Sequence, residues 1–115
     1  QKGNYDKAIS VYESIAQKFP SVAGWAYLLA GSTAAKADKT EAKSVPYYEK
    51  IVSLLENKAD RDADETGYLK SAYQNLGYYY WGTKHDLEAA KPYYEKLYKL
   101  DPNDKGAKAA LGIKD

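Results

Sequence analysis

Three segments of this chain superimpose without gaps, and this internal repetition restricts its possible folds more than any other feature. The segments begin at residues 7, 43 and 89 and read KAISVYESI, KSVPYYEKI and AAKPYYEKL. Their aligned tyrosines, Tyr12, Tyr48 and Tyr94, are 36 and 46 residues apart. A period of about 35 residues is typical of stacked helix pairs. The larger separation indicates about ten extra residues between the second and third copies.

Each copy has the periodicity of an amphipathic helix, with small or apolar residues on one face and lysine and glutamate on the other. Asn4 and Asp86 stand where an N-cap is expected, and Pro20 and Pro102 follow the last turns. The prolines inside two of the helices, Pro46 and Pro92, should bend their first turns. Core positions are predicted for five tyrosines: Tyr12, Tyr48, Tyr73, Tyr80 and Tyr94.

The segments between the copies predict helices of opposite direction, at about 22–36 and 66–82. In the second of these, Gly77 lies beside Leu76, where a neighbouring helix can approach closely. Asn103 or Asp104 can cap a last short helix. We expect that helix to cover the end of the stack with three apolar residues, Ala107, Ala110 and Leu111.

The third copy resembles the tetratricopeptide repeat, in which a large apolar residue, Leu-Gly, Tyr, Ala, an aromatic, an apolar residue and Pro recur in order. With one extra residue in the turn, the matching positions are Tyr73, Leu76, Gly77, Tyr80, Ala90, Tyr94, Leu97 and Pro102. The second copy aligns Leu29-Ala30 with Leu-Gly and Ser44 with Ala. The first copy holds only the second helix of its pair.

The resemblance implies an all-α fold, a right-handed α-solenoid of about two and a half antiparallel helix hairpins with a C-terminal capping helix. One domain, 1–115, is expected. Its predicted parts are the second helix of a truncated repeat (4–19), a degenerate repeat (22–57), a charged insert (58–67), a well-formed repeat (68–102) and the capping helix (103–112). Because the sequence contains no methionine, we expect it to be a segment of a longer polypeptide.

Composition argues against several classes of function. No apolar run approaches the roughly 20 residues of a membrane-spanning helix, so membrane insertion is not expected. The net charge of +1, with no basic stripe, disfavours nucleic acid as a partner. The chain has no cysteine, which leaves the redox compartment open. A bacterial periplasm or cell envelope is the expected location, with the cytoplasm as the alternative.

No catalytic residue, metal site or cofactor is expected. Alternate aspartates at 60, 62 and 64 begin like a calcium loop, but Glu65 and Ser71 occupy the positions that such a loop reserves for glycine and glutamate. A solvated helix extension or charged loop is the preferred interpretation. The single histidine, His85, is interpreted as a turn residue. These patterns indicate that the chain is not an enzyme.

The resemblance implies a scaffold that binds another protein or peptide in a groove formed by the first helices of the hairpins. The alternatives are a structural or self-associating module, which forms a homodimer through the N-terminal edge, and a docking appendage of a larger multi-domain protein. Aromatic rings that anchor interfaces and polar residues that orient a partner suggest the groove residues. They are Tyr27, Gly31, Ser71, Gln74, Asn75, Tyr78 and Trp81.

Overall fold

The computed structural model describes residues 2–38 and 40–114, and within these ranges it contains six α-helices and no β-strand. The helices are α1 (Lys2–Lys18), α2 (Ala23–Ala37), α3 (Val45–Leu55), α4 (Ala63–Tyr78), α5 (Leu87–Leu100) and α6 (Lys105–Leu111). Short 3-10 turns precede α2 and α3, and a π-helical turn, Tyr79–Thr83, continues α4. The predicted all-α class is confirmed.

The helices follow one another as antiparallel neighbours, because each packs against the next across a short connection. In addition, α2 contacts α4 directly, so the pair α2–α3 lies beside the pair α4–α5. The chain extends over 43 × 35 × 18 Å, a flat array rather than a closed bundle. The helical-repeat architecture that the sequence predicted is thereby confirmed.

Two glycines fix how the two helices of each hairpin pack against one another. A Cβ atom on Gly77 would lie 2.7 Å from Cζ of Tyr94, and one on Gly31 would lie 3.0 Å from Cζ of Tyr48. Each tyrosine ring therefore crosses the preceding helix at a glycine that is 17 residues earlier in the chain. The equivalent of Leu-Gly in the second copy is Ala30-Gly31. The predicted alignment on Leu29-Ala30 was wrong by one residue.

The main core lies between these two pairs and α6. Its largest fully buried side chains are Ile51, Leu69, Leu76 and Leu97, and Tyr48, Tyr73 and Tyr94 are buried beside them. Tyr80 is half-buried and stacks on Tyr93, with ring centroids 5.8 Å apart. Tyr12 is also half-buried, because its helix lies at the end of the array. A second, smaller cluster of alanines joins α1 to α2: Ala16, Ala23 and Ala26.

Several helix ends follow the predicted capping chemistry. The side chains of Asp86 and Asp104 accept hydrogen bonds from the backbone N–H groups three residues later, as N-cap residues do. Asn4 is not an N-cap, since α1 already includes Lys2 and continues through it. Pro46 is the second residue of α3 and follows a 3-10 turn. There its missing N–H costs no helical bond, so the expected disruption does not apply.

The fourth helix begins three residues before its predicted start. Asp62 accepts a hydrogen bond from the backbone N–H of Glu65, and the Glu65 side chain accepts one from the backbone N–H of Asp62. This reciprocal capping box satisfies two donors that a helix start otherwise leaves unpaired. The acidic run that was interpreted as an insert therefore contains the first turn of α4.

Candidate functional site

One side of α4 is left open by the helices that pack around it. Tyr73, Gly77 and Tyr80 face the second helices of the hairpins, as their contacts show. At 3.6 residues per turn, the side of the helix opposite Tyr73 carries residues four and then three positions apart. These residues are Ser71, Asn75 and Tyr78, all of them predicted groove residues.

The polar groups on this side keep hydrogen-bonding capacity. Asn75 Nδ2 donates to the Ser71 carbonyl oxygen of its own helix at 2.8 Å. An asparagine amide has two N–H donors and one acceptor oxygen, so this single bond leaves most of its capacity for a partner. Tyr78 is 57% exposed, and its ring lies against Gly82, where a Cβ atom would come within 2.8 Å of Tyr78 Cε1. The Tyr78 ring therefore packs against the backbone at Gly82 and remains accessible to a partner.

Two other predicted groove residues on this hairpin are used for packing. Gln74 Nε2 donates to Asp104 Oδ1 at 2.9 Å, which ties α4 to the N-cap of α6. The Trp81 ring meets Tyr94 edge-on, with centroids 5.7 Å apart, and packs against the main core. We therefore leave Gln74 and Trp81 out of the open surface.

The predicted groove residues on α2 are also packing residues. Gly31 is buried beneath the ring of Tyr48 and offers no surface to a partner. Tyr27 is the equivalent of Tyr73, 46 residues earlier, and it packs against both core clusters. Lys50 Nζ lies 5.1 Å from the centroid of the Tyr27 ring, a cation–π contact on the side of the second helices. When the alignment is shifted by one residue, so that Gly31 matches Gly77, neither Gly31 nor Tyr27 is a groove residue.

The corrected register identifies three residues that sequence reasoning missed. Residues 46 positions before Ser71, Asn75 and Tyr78 occupy the same open side of α2. They are Trp25, which is 39% exposed, and the half-buried Leu29 and Ser32. Aligning Gly31 with Gly77 in the sequence would have revealed them. Because α2 contacts α4, the two open sides are adjacent, and we call these six residues the α2–α4 face.

The α2–α4 face combines aromatic, apolar and uncharged polar side chains. It has an exposed aromatic ring on each helix, and Leu29, two hydroxyls and one amide lie between or beside the rings. It carries no carboxylate, imidazole or thiol, so it offers neither a ligand set for a metal ion nor an acid–base pair. Burial raises the pKa of the Tyr48 and Tyr94 phenols, whose rings pack against Gly31 and Gly77.

A second depression lies on the other side of the array, between α1 and α3. Its volume is about 590 Å³, and its walls include Ile9, Glu13, Tyr47 and Lys50. Burial raises the pKa of the Tyr47 phenol, and the Glu13 carboxylate raises it further. This depression contains charged groups of both signs, and it has fewer exposed aromatic rings than the α2–α4 face.

Other residues singled out in the sequence lie elsewhere. His85 is in the turn before α5, with a φ of 55°, as predicted for a turn residue. Of the three alternate aspartates, Asp62 caps α4, and Asp60 and Asp64 are exposed. None of the helices in the described part of the chain has both the length and the apolar character needed to cross a bilayer.

Comparison with known proteins gives two matches to models of one family. Both models are described as tetratricopeptide repeat, and they match residues 70–104 and 1–21. No curated protein and no solved structure gave a match. The first match contains α5, most of α4 and the Gly77–Tyr94 crossing, and the second contains α1. Together with the helical repeat described above, these matches support a tetratricopeptide repeat protein.

Proposed function

We propose that the chain is a protein-binding scaffold that holds a segment of a partner across the α2–α4 face. Repeats of this family generally mediate protein–protein interactions and generally act as non-catalytic scaffolds. The observation that supports this face is the pair of exposed rings, Trp25 and Tyr78, at equivalent sides of two helices in contact. Aromatic anchors commonly dominate the binding energy of interfaces.

The spacing of polar and apolar groups suits an extended or helical segment. A partner side chain can pack on each ring, while the Asn75 amide and the Ser71 hydroxyl offer donors and acceptors to its backbone. The Tyr78 ring is held against the backbone at Gly82, so little conformational entropy of this ring is lost when it is covered. In this proposal the chain contributes binding and orientation and performs no covalent chemistry.

Peptides selected from a display library against the folded chain would test the proposal. Their affinity, measured by fluorescence anisotropy, should fall about tenfold or more for Tyr78→Ala, since removal of an interface anchor typically costs about 2 kcal/mol. The control is Val11→Ala on α1, because Val11 is 55% exposed and lies outside the face. Equal affinities for wild type and Tyr78→Ala would contradict the proposal.

Self-association through α1 is a second candidate function, and one observation favours it. Val11 is an exposed apolar residue on the terminal helix of the array, beside the half-buried Tyr12 and Ile15. Stacked arrays bury such a face against a further helix. Sedimentation of wild type and Val11→Lys tests this function. A dimer that Val11→Lys dissociates would support it, and a monomeric wild type would exclude it.

A further inference from the structure

The fourth helix projects beyond the repeat that it belongs to. Leu69 is the equivalent of Ala23, the first residue of α2, yet α4 begins at Ala63. Six residues, Ala63 to Tyr68, therefore form an overhang with no α-helical counterpart in the preceding repeat. The overhang packs against the start of α2. A Cβ atom on Gly24 would lie 3.1 Å from Cδ2 of Tyr68.

The loop that leads into the overhang is fastened to the end of α3. Arg61 Nη1 donates to the carbonyl oxygens of Leu55, Glu56 and Lys58, at 2.8, 3.1 and 3.1 Å. One guanidinium thus donates to three carbonyls at and just beyond the C-terminus of α3, where few intrahelical donors remain. With the capping box at Asp62, both ends of the connection are fixed, so the surface beside it is formed before any partner arrives.

A cleft of about 410 Å³ separates the overhang from the start of α2 and the end of α3. Three apolar side chains in its wall are unusually accessible: Val22 at 40%, Trp25 at 39% and Leu54 at 45% exposed. Apolar side chains exposed together, with polar residues around them, commonly mark an interaction surface. Trp25 belongs both to this wall and to the α2–α4 face.

The opposite wall of the cleft is acidic. It contains Asp62, Asp64 and Glu65, against a single cation, Lys58. Lys58 Nζ forms an ion pair with Glu65 at 2.6 Å, so its charge is already balanced. The two aspartates leave a formal charge of −2. Tyr68 also lines the cleft. Burial is the main cause that raises the pKa of its phenol, and the negative charges of Asp64, Asp62 and Glu65 raise it further.

We propose that this cleft binds a basic segment of the partner protein. An apolar side chain of the segment packs between Trp25 and Leu54, and a neighbouring lysine or arginine pairs with Asp64. The charge of the cleft selects a cationic occupant, and the apolar wall selects a peptide over a free cation. This inference rests on the proposed function only in assuming that the partner is a protein.

A short synthetic peptide of alternating leucine and lysine is a suitable probe. In the Trp81→Phe variant, Trp25 is the only tryptophan, so its fluorescence reports contact with the cleft or with the adjoining α2–α4 face, and the charge reversals below distinguish the two. The peptide should change this fluorescence in a saturable manner, and added salt should weaken its binding. Versions with glutamate in place of lysine, or serine in place of leucine, should bind at least about fivefold more weakly. Equal binding of all three peptides would overturn the proposal.

A matched pair of charge reversals locates the binding. Asp64→Lys should weaken the leucine–lysine peptide about fivefold, because it replaces an attraction by a repulsion near the surface. Glu95→Lys makes the same change in net charge on an exposed residue of α5, away from the cleft, and it should leave the affinity unchanged. Circular dichroism of both variants checks that the fold is kept. Equal weakening by both variants would overturn the proposal in favour of a general charge effect.

The outcomes also separate this inference from the proposed function. Selected peptides that lose affinity in Tyr78→Ala, together with a leucine–lysine peptide that does not bind, would leave the scaffold standing and remove the cleft. A wild-type chain that self-associates and is made monomeric by Asp64→Lys, without binding the peptide, would assign the cleft to a second copy and overturn the proposal. Failure of both kinds of peptide would contradict both proposals.

Discussion

Gly67 and Gly77 lie on the same helix and have opposite surroundings. A Cβ atom on Gly77 would meet the Tyr94 ring at 2.7 Å, whereas one on Gly67 would have no neighbour within 4 Å. We predict that Gly77→Ala lowers the free energy of unfolding by about 1–3 kcal/mol, because the ring must move in a packed core. Gly67→Ala should raise it by about 0.5–1 kcal/mol, since alanine favours the helix. Urea unfolding of both variants checks the pair, and equal effects would contradict this description of the crossing.

The Glu56 carboxylate joins three helices. Its Oε1 atom accepts a hydrogen bond from the Tyr73 hydroxyl at 2.7 Å and pairs with Lys96 Nζ on α5. Lys96 and, after it, Tyr73 hold the pKa of Glu56 below its ordinary value of 4.5, against the opposing effect of burial. The same carboxylate raises the pKa of the Tyr73 phenol, although burial is the larger cause.

The lowered pKa of Glu56 makes a prediction about pH. A carboxyl group with a lower pKa in the folded state stabilises the fold above its unfolded pKa and loses that contribution as pH falls through the folded value. Glu56→Gln should therefore cost about 0.5–1 kcal/mol at pH 7, a small value because the carboxylate is partly exposed. The difference from wild type should vanish toward pH 3. The control is Glu95→Gln, at an exposed residue of α5. A pH-independent difference would exclude this role for Glu56.

At the scale of the element, the capping box determines whether the overhang of α4 forms. Asp62→Ala removes the acceptor for the Glu65 N–H and should cost about 1 kcal/mol. Because the overhang has few neighbours, we expect this loss to appear first as faster amide exchange at residues 63–68. Asp60→Ala, in the preceding loop, is the control. Unchanged exchange in Asp62→Ala would mean that the packing of Tyr68, and not the cap, holds the overhang.

The sequence predicted which segments form helices, but not every boundary. Recurring tyrosines, caps such as Asp86 and stops such as Pro102 act locally, so they can be read without coordinates. The start of α4 was left open between a helix extension and a charged loop, because the acidic residues at 60–65 suit both. The spacing Asp62-x-x-Glu65 is a sequence signature of a capping box and could have placed the helix start.

The groove was predicted less well than the helices, for a reason that concerns register. Ala30 and Gly31 are both small and adjacent, so the Leu-Gly pattern alone does not choose between them, whereas the common separation of 17 residues from glycine to tyrosine does. An error of one residue turns a helix by about 100°, which exchanges packing residues for open ones. Tyr27 and Gly31 were therefore placed in the groove, while Trp25 and Ser32 were left out. On α4, where Leu76-Gly77 is unambiguous, Ser71, Asn75 and Tyr78 were placed on the open side.

At the scale of the whole molecule, stability should be uneven along the array. The main core joins α3, α4, α5 and α6, whereas α1 is attached to α2 through a small cluster of alanines. In repeat arrays each unit is stabilised by its neighbours, so terminal units open first. We predict that native-state hydrogen exchange is faster in α1 than in α4 and α5. Uniform protection across these helices would mean that the chain unfolds as one cooperative unit.

The array presents two sides, and binding on the α2–α4 face distinguishes the proposed scaffold from other uses of the fold. Backbone amide chemical shifts recorded during titration with a selected peptide can locate the contact. We expect the largest changes at Trp25, Leu29, Ser71, Asn75 and Tyr78, with α1 unaffected. Changes confined to the depression between α1 and α3, around Glu13 and Tyr47, would place the partner on the opposite side and contradict the proposal.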